Sequence, residues 1–269
     1  MLEVTSLGSG SSGNALLIRT DTVTLLADCG VGVRRLTPAL RTLGVGICDI
    51  DVVLVSHEHG DHIRELPRFV ATGTPIVSTR GTASASNAPA GAWTASAPMR
   101  PIHVGHTEIV PVPVSHDAAE PCGFLVRTAA GAITVLTDLG SASEAAAEAI
   151  AESHLVVLEA NHDEALLRRG PYPLRLQRRI LSDAGHLSNA ACAELLATAL
   201  RYARTLPTIW LAHLSETNNR PNLARNAVAR RLAACGLTLD IQTLPRRSVS
   251  ETWSPGSASQ SVAQLTLEF

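Results

Sequence analysis

The sequence predicts an α/β (α+β) fold in which mixed β-sheets are covered by helices on the outside. Three observations support this prediction. Strand-like runs recur along the chain, from LEVTSLG at residue 2 to LTLDIQTL at residue 237. Helical spacing of apolar residues occurs between several of these runs. The strands come first mostly in β-rich blocks and later in strand-helix-strand units, which favours mixed sheets with outer helices.

Eleven segments have the composition and alternation of strands. In chain order they are LEVTSLG, NALLIRT, TVTLLADCG, IDVVLVSH, TPIVST, EIVPVPVSH, CGFLVRT, AITVLTD, HLVVLEAN, TIWLAHLS and LTLDIQTL. Six segments show apolar residues three and four apart and are predicted helices: RRLTPALRTLG, DHIRELPRFVATG, SEAAAEAIAES, PLRLQRRILSDAG, SNAACAELLATALRYAR and NLARNAVARRLAACG. Residues 83–97, rich in small side chains, are predicted to form a loop near a site.

Composition favours a globular enzyme-sized protein. Hydrophobic residues make up 45% of the 269 positions, enough for a sizeable core. The five cysteines are scattered and never spaced as CxxC, so neither a disulfide framework nor a thiolate metal site is expected. There is no signal-like N-terminus and no long apolar run, so a cytoplasmic protein without a membrane segment is expected. The net charge of −2 gives no overall attraction to nucleic acid.

Arginine supplies every basic residue of the chain, and its distribution is uneven. Five arginines lie in LLRRGPYPLRLQRR, residues 166–179, where they suit phosphate oxygens or form an ordinary solvated face. We expect residues 1–247 to form one catalytic domain. Residues 248–269, which contain the linker-like SPGSASQS at 254–261, are expected to form a flexible tail.

The segment SHEHGDH predicts a metal-binding loop. It places His57, His59, Asp61 and His62 within six residues, directly after an apolar strand, and Gly60 is expected to relieve the backbone there. Imidazole and carboxylate are ligands of zinc, manganese and iron, and a pair of cations roughly 3.5 to 4 Å apart needs several such groups.

Three further donors follow other predicted strands. His116 comes after IVPVPVS, Asp138 after AITVLT, and His213 after TIWLA. Strand ends are where α/β folds gather their sites, so these side chains are expected to converge on the same loop. Any one of them alone is as well explained as a surface or core residue, but the ordered set indicates a site for two divalent ions.

This ordered set resembles the metallo-β-lactamase superfamily, whose fold is a four-layer αββα sandwich. The resemblance implies that one ion is held by His57, His59 and His116 and the other by Asp61, His62 and His213. It implies that Asp138 bridges them, with Asp28 of LLADCG supporting the histidine loop by hydrogen bonds. An aspartate at position 61 resembles the phosphodiesterase and nuclease branches, and a centre of about +1 charge fits a phosphodiester.

Two more motifs resemble the tRNA 3'-end processing branch. Glu159 of LEAN and His186 of GHLSN occupy the places of a pair that protonates the leaving oxygen, so Asp61, Glu159 and His186 are the expected catalytic residues. The alternative for His186 is that it caps the following helix. His162, beside Glu159, could be a substrate contact.

Over most of its length the chain is similar to the YycJ/WalJ-type group, described as 5'-to-3' DNA exonucleases. The similarity lies in LGSGSSGNALLI, EANHDEALLRRGPYPLRLQRRI, GHLSN and AHLSETNNRPNLA. It implies a dinuclear, zinc- or manganese-dependent phosphodiesterase acting on DNA in replication or repair. A small-molecule hydrolase for cyclic phosphodiesters or thioesters is the alternative. A regulatory module with a dead site is a third, disfavoured because no ligand is missing.

The last residues, QLTLEF, match a pattern by which bacterial repair proteins dock on the replicative sliding clamp. Gln264, Leu265, Leu267 and Phe269 occupy the positions of that pattern. A glutamine and a few apolar side chains suit preformed pockets, and a flexible tether raises local concentration. A clamp partner is therefore expected in addition to the DNA substrate.

Overall fold

Two β-sheets form the centre of the molecule. The computed structural model describes residues 1–86 and 89–256. The six-stranded first sheet is ordered along the chain: β1 (Leu2–Gly8), β2 (Ala15–Thr20), β3 (Thr24–Ala27), β4 (Val52–Leu54), β5 (Ile76–Thr79) and β6 (Trp93–Ser96). The seven-stranded second sheet comprises β7 (Ile102–Val104), β8 (Thr107–Pro113), β9 (Cys122–Thr128), β10 (Gly131–Leu136), β11 (Leu155–Glu159), β12 (Thr208–Ala212) and β13 (Ile241–Thr243).

Both sheets change from antiparallel to parallel pairing along the chain. β1, β2 and β3 pair antiparallel, whereas β3 to β6 pair parallel. In the second sheet β7 to β10 are antiparallel and β10 to β13 parallel. The parallel strands are connected through helices, as parallel pairing requires. Their C-terminal ends consequently share one edge of each sheet.

Nine α-helices accompany the two sheets in the described residues. They are α1 (Val33–Thr42), α2 (Gly60–Ile63), α3 (Leu66–Thr72), α4 (Arg80–Ala85), α5 (Glu144–Ala151), α6 (Glu164–Arg169), α7 (Leu174–Ile180), α8 (Asn189–Ala199) and α9 (Pro221–Ala233). None of them is long and apolar enough to cross a membrane. All five cysteines are free thiols, as expected from their spacing.

Three hydrophobic clusters hold four layers together. One lies between the sheets and includes Phe124 and Trp210. A second packs α1 and α3 on the outer face of the first sheet, with Phe69 completely buried. The third packs α5, α8 and α9 on the outer face of the second sheet. The architecture is therefore helix, sheet, sheet, helix, which confirms the predicted αββα sandwich.

Several local predictions differ from the structure. β6 and β7 are missing from the predicted strands and α4 and α6 from the predicted helices, and both α4 and β6 occupy part of the stretch 83–97 that was predicted to be a loop. The segment DHIRELPRFVATG is two helices, α2 and α3, because the backbone between them turns to pair with Cys29. Cys29 donates to the carbonyl of His62, and Glu65 donates to the carbonyl of Cys29.

The packed part of the chain continues past residue 247. Trp253 exchanges two backbone hydrogen bonds of 2.9 Å with Val4, and its indole, only 6% exposed, enters the cluster between the sheets. Its Nε1 donates to Thr208 Oγ1 at 3.2 Å. Residues 250–253 therefore pack on the domain although they lie beyond the predicted boundary at residue 247, and the tail stays a prediction. The QLTLEF motif lies outside the described residues.

Candidate metal centre

The predicted donors lie together where strands end. Each one follows or ends a strand at the same edge of the two sheets. Asp28 follows β3, the 57–62 loop follows β4, His116 follows β8, Asp138 follows β10, Glu159 ends β11, and His213 follows β12. Because these strands run in the same direction within their sheets, their C-terminal ends collect, from six places in the chain, the groups that the sequence analysis selected.

Three site residues have a left-handed backbone. Asp28, Asp138 and His213 have φ values of 60°, 56° and 53°. Among non-glycine residues this conformation is uncommon, although aspartate and histidine tolerate it better than most. It costs on the order of 1–3 kcal/mol per residue and is held only where the surroundings enforce it. The chain bends sharply at these strand ends.

Asp28 holds the 57–62 loop in place through hydrogen bonds. Asp28 Oδ1 accepts the backbone N–H of Ser56 at 2.9 Å, and Oδ2 lies 2.7 Å from His62 Nδ1. The predicted hydrogen bond between Asp28 and the histidine loop is thus confirmed. Ser56, which the sequence analysis did not select, places its hydroxyl 3.0 Å from His57 Nδ1. Its position as the first residue of SHEHGDH was the available signal.

The prediction that Gly60 relieves the backbone was wrong. A Cβ at Gly60 would meet no atom within 4 Å, and its φ is not positive. The tight positions are Gly30 and Gly13: a Cβ at Gly30 would lie 1.6 Å from the Asp61 carbonyl oxygen, and one at Gly13 would lie 2.4 Å from that of Gly30. The loop therefore depends on the absence of a side chain at Gly30, which packs against it, and at Gly13, which packs against Gly30.

The donor atoms form overlapping groups whose members lie within 4.8 Å of one another. One group contains His57, His59 and His116, and another contains Asp61, His62 and His213. These have the same members as the two ligand sets implied by the family resemblance. Two further groups, His57 with His62 and Asp138, and Asp138 with Glu159, His186 and His213, connect them.

Asp138 lies between the two sets. Its Oδ2 is 2.9 Å from His62 Nε2, and its Oδ1 is 3.8 Å from His116 Nε2. The side chain is 3% exposed, and Oδ2 has no hydrogen-bond partner by geometry among the described residues. Oδ1 also lies 3.4 Å from His213 Nδ1, so the carboxylate is within reach of members of both sets, as expected of a bridging ligand.

Three of the imidazoles are oriented as metal ligands are. His62, His116 and His213 turn Nε2 inward and hold an acceptor at Nδ1, which is Asp28 at 2.7 Å, the Gly185 carbonyl at 3.0 Å and Glu159 at 2.7 Å respectively. His213 Nε2 is buried without a described hydrogen-bond partner. A buried polar atom without a partner is costly, and an acceptor on the outer nitrogen is the usual support of a ligating histidine. The residues fit divalent ions.

Charges at the centre shift its titrating groups. Burial lowers the pKa of His57 well below its usual value, and His62 adds to the decrease. Burial would also lower the pKa of His62, but Asp28 and Asp138 outweigh it and raise that pKa. Burial would raise the pKa of Asp138, which the neighbouring histidines His213 and His62 instead hold well below its usual range.

Glu159 connects His186 to the centre. Its Oε1 lies 3.0 Å from His186 Nδ1 and 2.7 Å from His213 Nδ1, and its Oε2 accepts the backbone N–H groups of Leu139 and Leu187. Burial would raise the pKa of Glu159, but His186 and His213 lower it to about 2. Burial would lower the pKa of His186, and Glu159 outweighs this and raises it.

A cavity of about 170 Å³ opens beside His186. Its walls include Ser11, Asn161, Tyr172, Arg179 and Ser215. Tyr172 and Ser215 were not selected from the sequence, since neither belongs to a motif of metal ligands. A larger, apolar cavity of about 650 Å³ lies outside, between α5 and α8, and contains none of the donor groups.

The comparisons with known proteins agree with this geometry. The β-lactamase superfamily domain matches residues 24–210. The chain belongs to the metallo-β-lactamase superfamily. Exodeoxyribonuclease YycJ of Bacillus anthracis is 33% identical over 241 residues, which cover 87% of this chain and 90% of that protein. Exodeoxyribonuclease WalJ of Streptococcus pneumoniae serotype 2 is 32% identical over 243 residues, with the same coverage of both chains.

A solved structure supports the fold independently. The metallo-β-lactamase fold protein YhfI from Bacillus subtilis superposes with a TM-score of 0.71 at 16% identity, covering 93% of this chain and 98% of that one. The sequence similarity places the chain with the YycJ/WalJ group inside the superfamily. It is a hydrolase of the metallo-β-lactamase fold, with His and Asp clusters suited to divalent metals.

Proposed function

We propose that the protein is a dinuclear metal-dependent phosphodiesterase that degrades DNA from an end in the 5'-to-3' direction. The observation that carries the proposal is the joint arrangement of seven donor groups with the Glu159–His186 pair at their margin. The names of the YycJ and WalJ relatives support DNA as substrate class. Replication or repair, and the cytoplasm, are the setting in which such an enzyme would act.

Zinc or manganese are the ions we propose, held by His57, His59, Asp61, His62, His116, Asp138 and His213. Such ions supply Lewis acidity toward a phosphoryl oxygen and make water nucleophilic near neutral pH. Metal analysis of protein purified without chelator identifies the native ion. Two equivalents of metal are expected per chain, and a content that stays the same in Asp138→Ala protein would contradict the assigned site.

His186 is the proposed proton donor. Glu159 is completely buried and holds His186 Nδ1, so the imidazole keeps a fixed orientation beside the polar cavity. The raised pKa keeps His186 protonated at pH values where a free histidine has lost its proton. It can then protonate the departing oxygen of a phosphodiester. Glu159 acts through both histidines and is a positioning residue.

An end-labelled duplex tests the proposal directly. Wild-type protein with Mn²⁺ or Zn²⁺ is expected to release a 5' label as the first product and a 3' label only late. His59→Ala and Asp61→Ala proteins should release neither label at a comparable rate. His106→Ala is the matched control, since His106 is exposed and outside the described donor groups. Degradation by His59→Ala or Asp61→Ala protein at the wild-type rate would refute the mechanism.

A small-molecule hydrolase is the alternative, and the small size of the cavity favours it. A volume of about 170 Å³ accommodates only part of a nucleotide substrate. This alternative predicts rapid turnover of p-nitrophenyl phosphodiesters or thioesters and little action on DNA. Replacing several arginines of the 168–179 run with serine should then spare the activity, whereas under the DNA proposal it should reduce DNA cleavage.

Clamp binding through Gln264, Leu265, Leu267 and Phe269 stays a separate proposal. The supporting observation is the sequence QLTLEF at residues 264–269. Deleting these six residues should abolish binding to a purified bacterial sliding clamp, while Gln260→Ala should leave it unchanged. Equal affinity of the deleted and full-length chains would remove the clamp from the list of partners.

A further inference from the structure

Three arginines from distant parts of the sequence meet at the turn formed by residues 8–14. Arg35 belongs to α1, Arg64 follows α2, and Arg246 follows β13. Arg35 Nη2 and Arg64 Nη1 donate to the same carbonyl oxygen, that of Ser12, at 3.0 and 3.2 Å. Arg35 Nη1 also donates to the carbonyl of Arg246 at 3.3 Å. We call Arg35, Arg64, Arg246 and the adjacent Arg247 the arginine patch.

The positive charge of the patch is poorly compensated. Arg35, Arg64 and Arg246 donate to backbone carbonyls, which carry no full charge. Within residues 1–86 and 89–256, no carboxylate oxygen lies within 4.0 Å of their guanidinium nitrogens. Arg247 alone has such a partner, Glu216 at 3.3 Å. Burial, together with the charges of Arg247 and Arg64, lowers the pKa of Arg35.

The turn that carries the patch also contacts the metal centre. The backbone N–H of His213 donates to Ser9 Oγ at 2.8 Å, and the N–H of Asn14 donates to the Asp61 carbonyl at 2.8 Å. Asn14 Nδ2 lies 3.0 Å from His62 Nε2. Ser11 lines the cavity beside His186. One short turn therefore separates four arginines from the proposed site of bond cleavage.

The chemistry of the patch suits phosphate oxygens. A guanidinium has five N–H donors in a planar fork that matches a phosphate, and Arg64 uses one of them on a described partner. Arg64 and Arg247 are exposed, and Arg35 and Arg246 are half-buried. By contrast, two members of the 168–179 run are engaged: Arg168 lies 3.6 Å from Glu164 and Arg179 2.6 Å from Asp117.

We propose that the arginine patch binds the phosphate backbone of the DNA substrate and guides the strand across the 8–14 turn to the metal centre. The inference rests on the proposed function and adds to it the surface that holds the part of the polymer not undergoing cleavage. It also explains how a chain with a net charge of −2 holds a polyanion, because the local charge at the turn is positive.

The test measures DNA binding apart from cleavage. A fluorescent DNA of about thirty nucleotides is titrated with protein in the presence of a chelator, and the affinity is measured at several salt concentrations. Each lost phosphate contact should reduce the slope of log K against log salt by about 1. Arg35→Ser/Arg64→Ser/Arg246→Ser protein is expected to lose about 2 to 3 units of slope and at least tenfold in affinity at low salt.

Two further variants keep the test decisive. Arg64→Ser/Arg247→Ser changes only exposed side chains, so it should fold even if loss of Arg35 or Arg246 loosens the turn; a loss of about 1 to 2 units of slope is expected. Arg201→Ser/Arg204→Ser/Arg230→Ser is the control for the triple variant. It also removes three positive charges, from exposed side chains near the C-terminal ends of α8 and α9, and should retain the wild-type slope. Melting temperature and metal content verify folding.

The possible outcomes separate this inference from the proposed function. If wild-type protein degrades DNA but the folded Arg64→Ser/Arg247→Ser variant keeps the wild-type slope and affinity, the patch is not the DNA surface. An equal loss in the Arg201, Arg204 and Arg230 control would also overturn it, because net charge would then be the cause. If DNA binds through the patch but is never cleaved, the proposed function fails while the binding surface stands.

Discussion

The metal centre and the arginine patch share one wall, the 8–14 turn, but the chain builds them in opposite ways. At the centre the imidazoles of His62, His116 and His213 are fixed by an acceptor on the outer nitrogen, and His62 and Asp138 are almost completely buried. The arginines are half-buried or exposed and are held mainly through backbone carbonyls. Bond cleavage requires fixed donor positions, whereas capture of a polymer tolerates adaptable charges. Substitutions at the metal centre should therefore cause a severe loss of activity. Substitutions in the arginine patch should weaken DNA binding in steps, one arginine at a time.

The largest effect is expected from Asp138→Ala, which removes the carboxylate between the two ligand sets. Metal ions contribute several kcal/mol of charge stabilisation, and each ~1.4 kcal/mol is tenfold in rate, so kcat should fall on the order of 10³-fold or more. Metal content, measured on the same preparation, should fall with it. DNA affinity in the presence of chelator should stay near the wild-type value. A parallel loss of DNA affinity would show that the two regions are not separable.

His186→Asn is expected to reduce kcat on the order of 10²-fold, the usual contribution of a general acid. The pKa of His186 is raised by Glu159, so the protonated form persists to a higher pH than in a free histidine and is lost as the pH rises through the raised value. Wild-type kcat should therefore decrease on the alkaline side. That decrease should vanish in the variant, measured as kcat against pH on DNA. A merely structural role would lower activity without changing the shape of the profile.

Asp28→Asn tests the support beneath the loop. Asparagine tolerates the left-handed backbone at this position but cannot accept from both Ser56 and His62 with two carboxylate oxygens. Loss of such an outer partner typically costs 10- to 100-fold in metal affinity, about the loss expected here. Competition with a chelating dye measures it. Unchanged affinity would mean that Ser56 alone orients the loop.

Gly30→Ala and Gly60→Ala form a matched pair with the smallest expected effect. A Cβ at Gly30 collides with the Asp61 carbonyl, whereas one at Gly60 meets open space. Gly30→Ala should lower the free energy of unfolding by at least about 1 kcal/mol, whereas Gly60→Ala should leave it nearly unchanged. Denaturant titration of both proteins is the measurement. Equal stabilities would contradict the close packing of the loop on Gly30.

The sequence predicted those features that depend on neighbouring residues in the chain or on a known motif. His57 to His62 are contiguous and follow a buried strand, so their chemistry was visible without a structure. His116, Asp138 and His213 were recognisable because each follows a strand and their order matches a known pattern. The strands β6 and β7 were missed because WTAS and IHV are short edge segments that lack a continuous buried face.

The arginine patch could not have been predicted from spacing. Arg35, Arg64 and Arg246 are separated by up to 211 residues, and they meet only because α1, α2 and the end of β13 converge on the 8–14 turn. The run at 168–179 was the more visible basic segment, yet two of its members are neutralised by carboxylates. The same reasoning applies to the two glycines. Gly60 is conspicuous in the motif, but a Cβ there would meet open space. Gly30 is required because the Asp61 carbonyl packs against it, and that contact is visible only in the structure.

The left-handed backbone of Asp28, Asp138 and His213 has an evolutionary consequence. Glycine would adopt these conformations without steric strain, so the protein accepts backbone strain to keep reactive side chains at the three bends. A descendant that was selected only for persistence in the cell, and no longer for turnover, would be expected to drift toward glycine at these bends first. Such a descendant would keep the fold after it had lost the site residues.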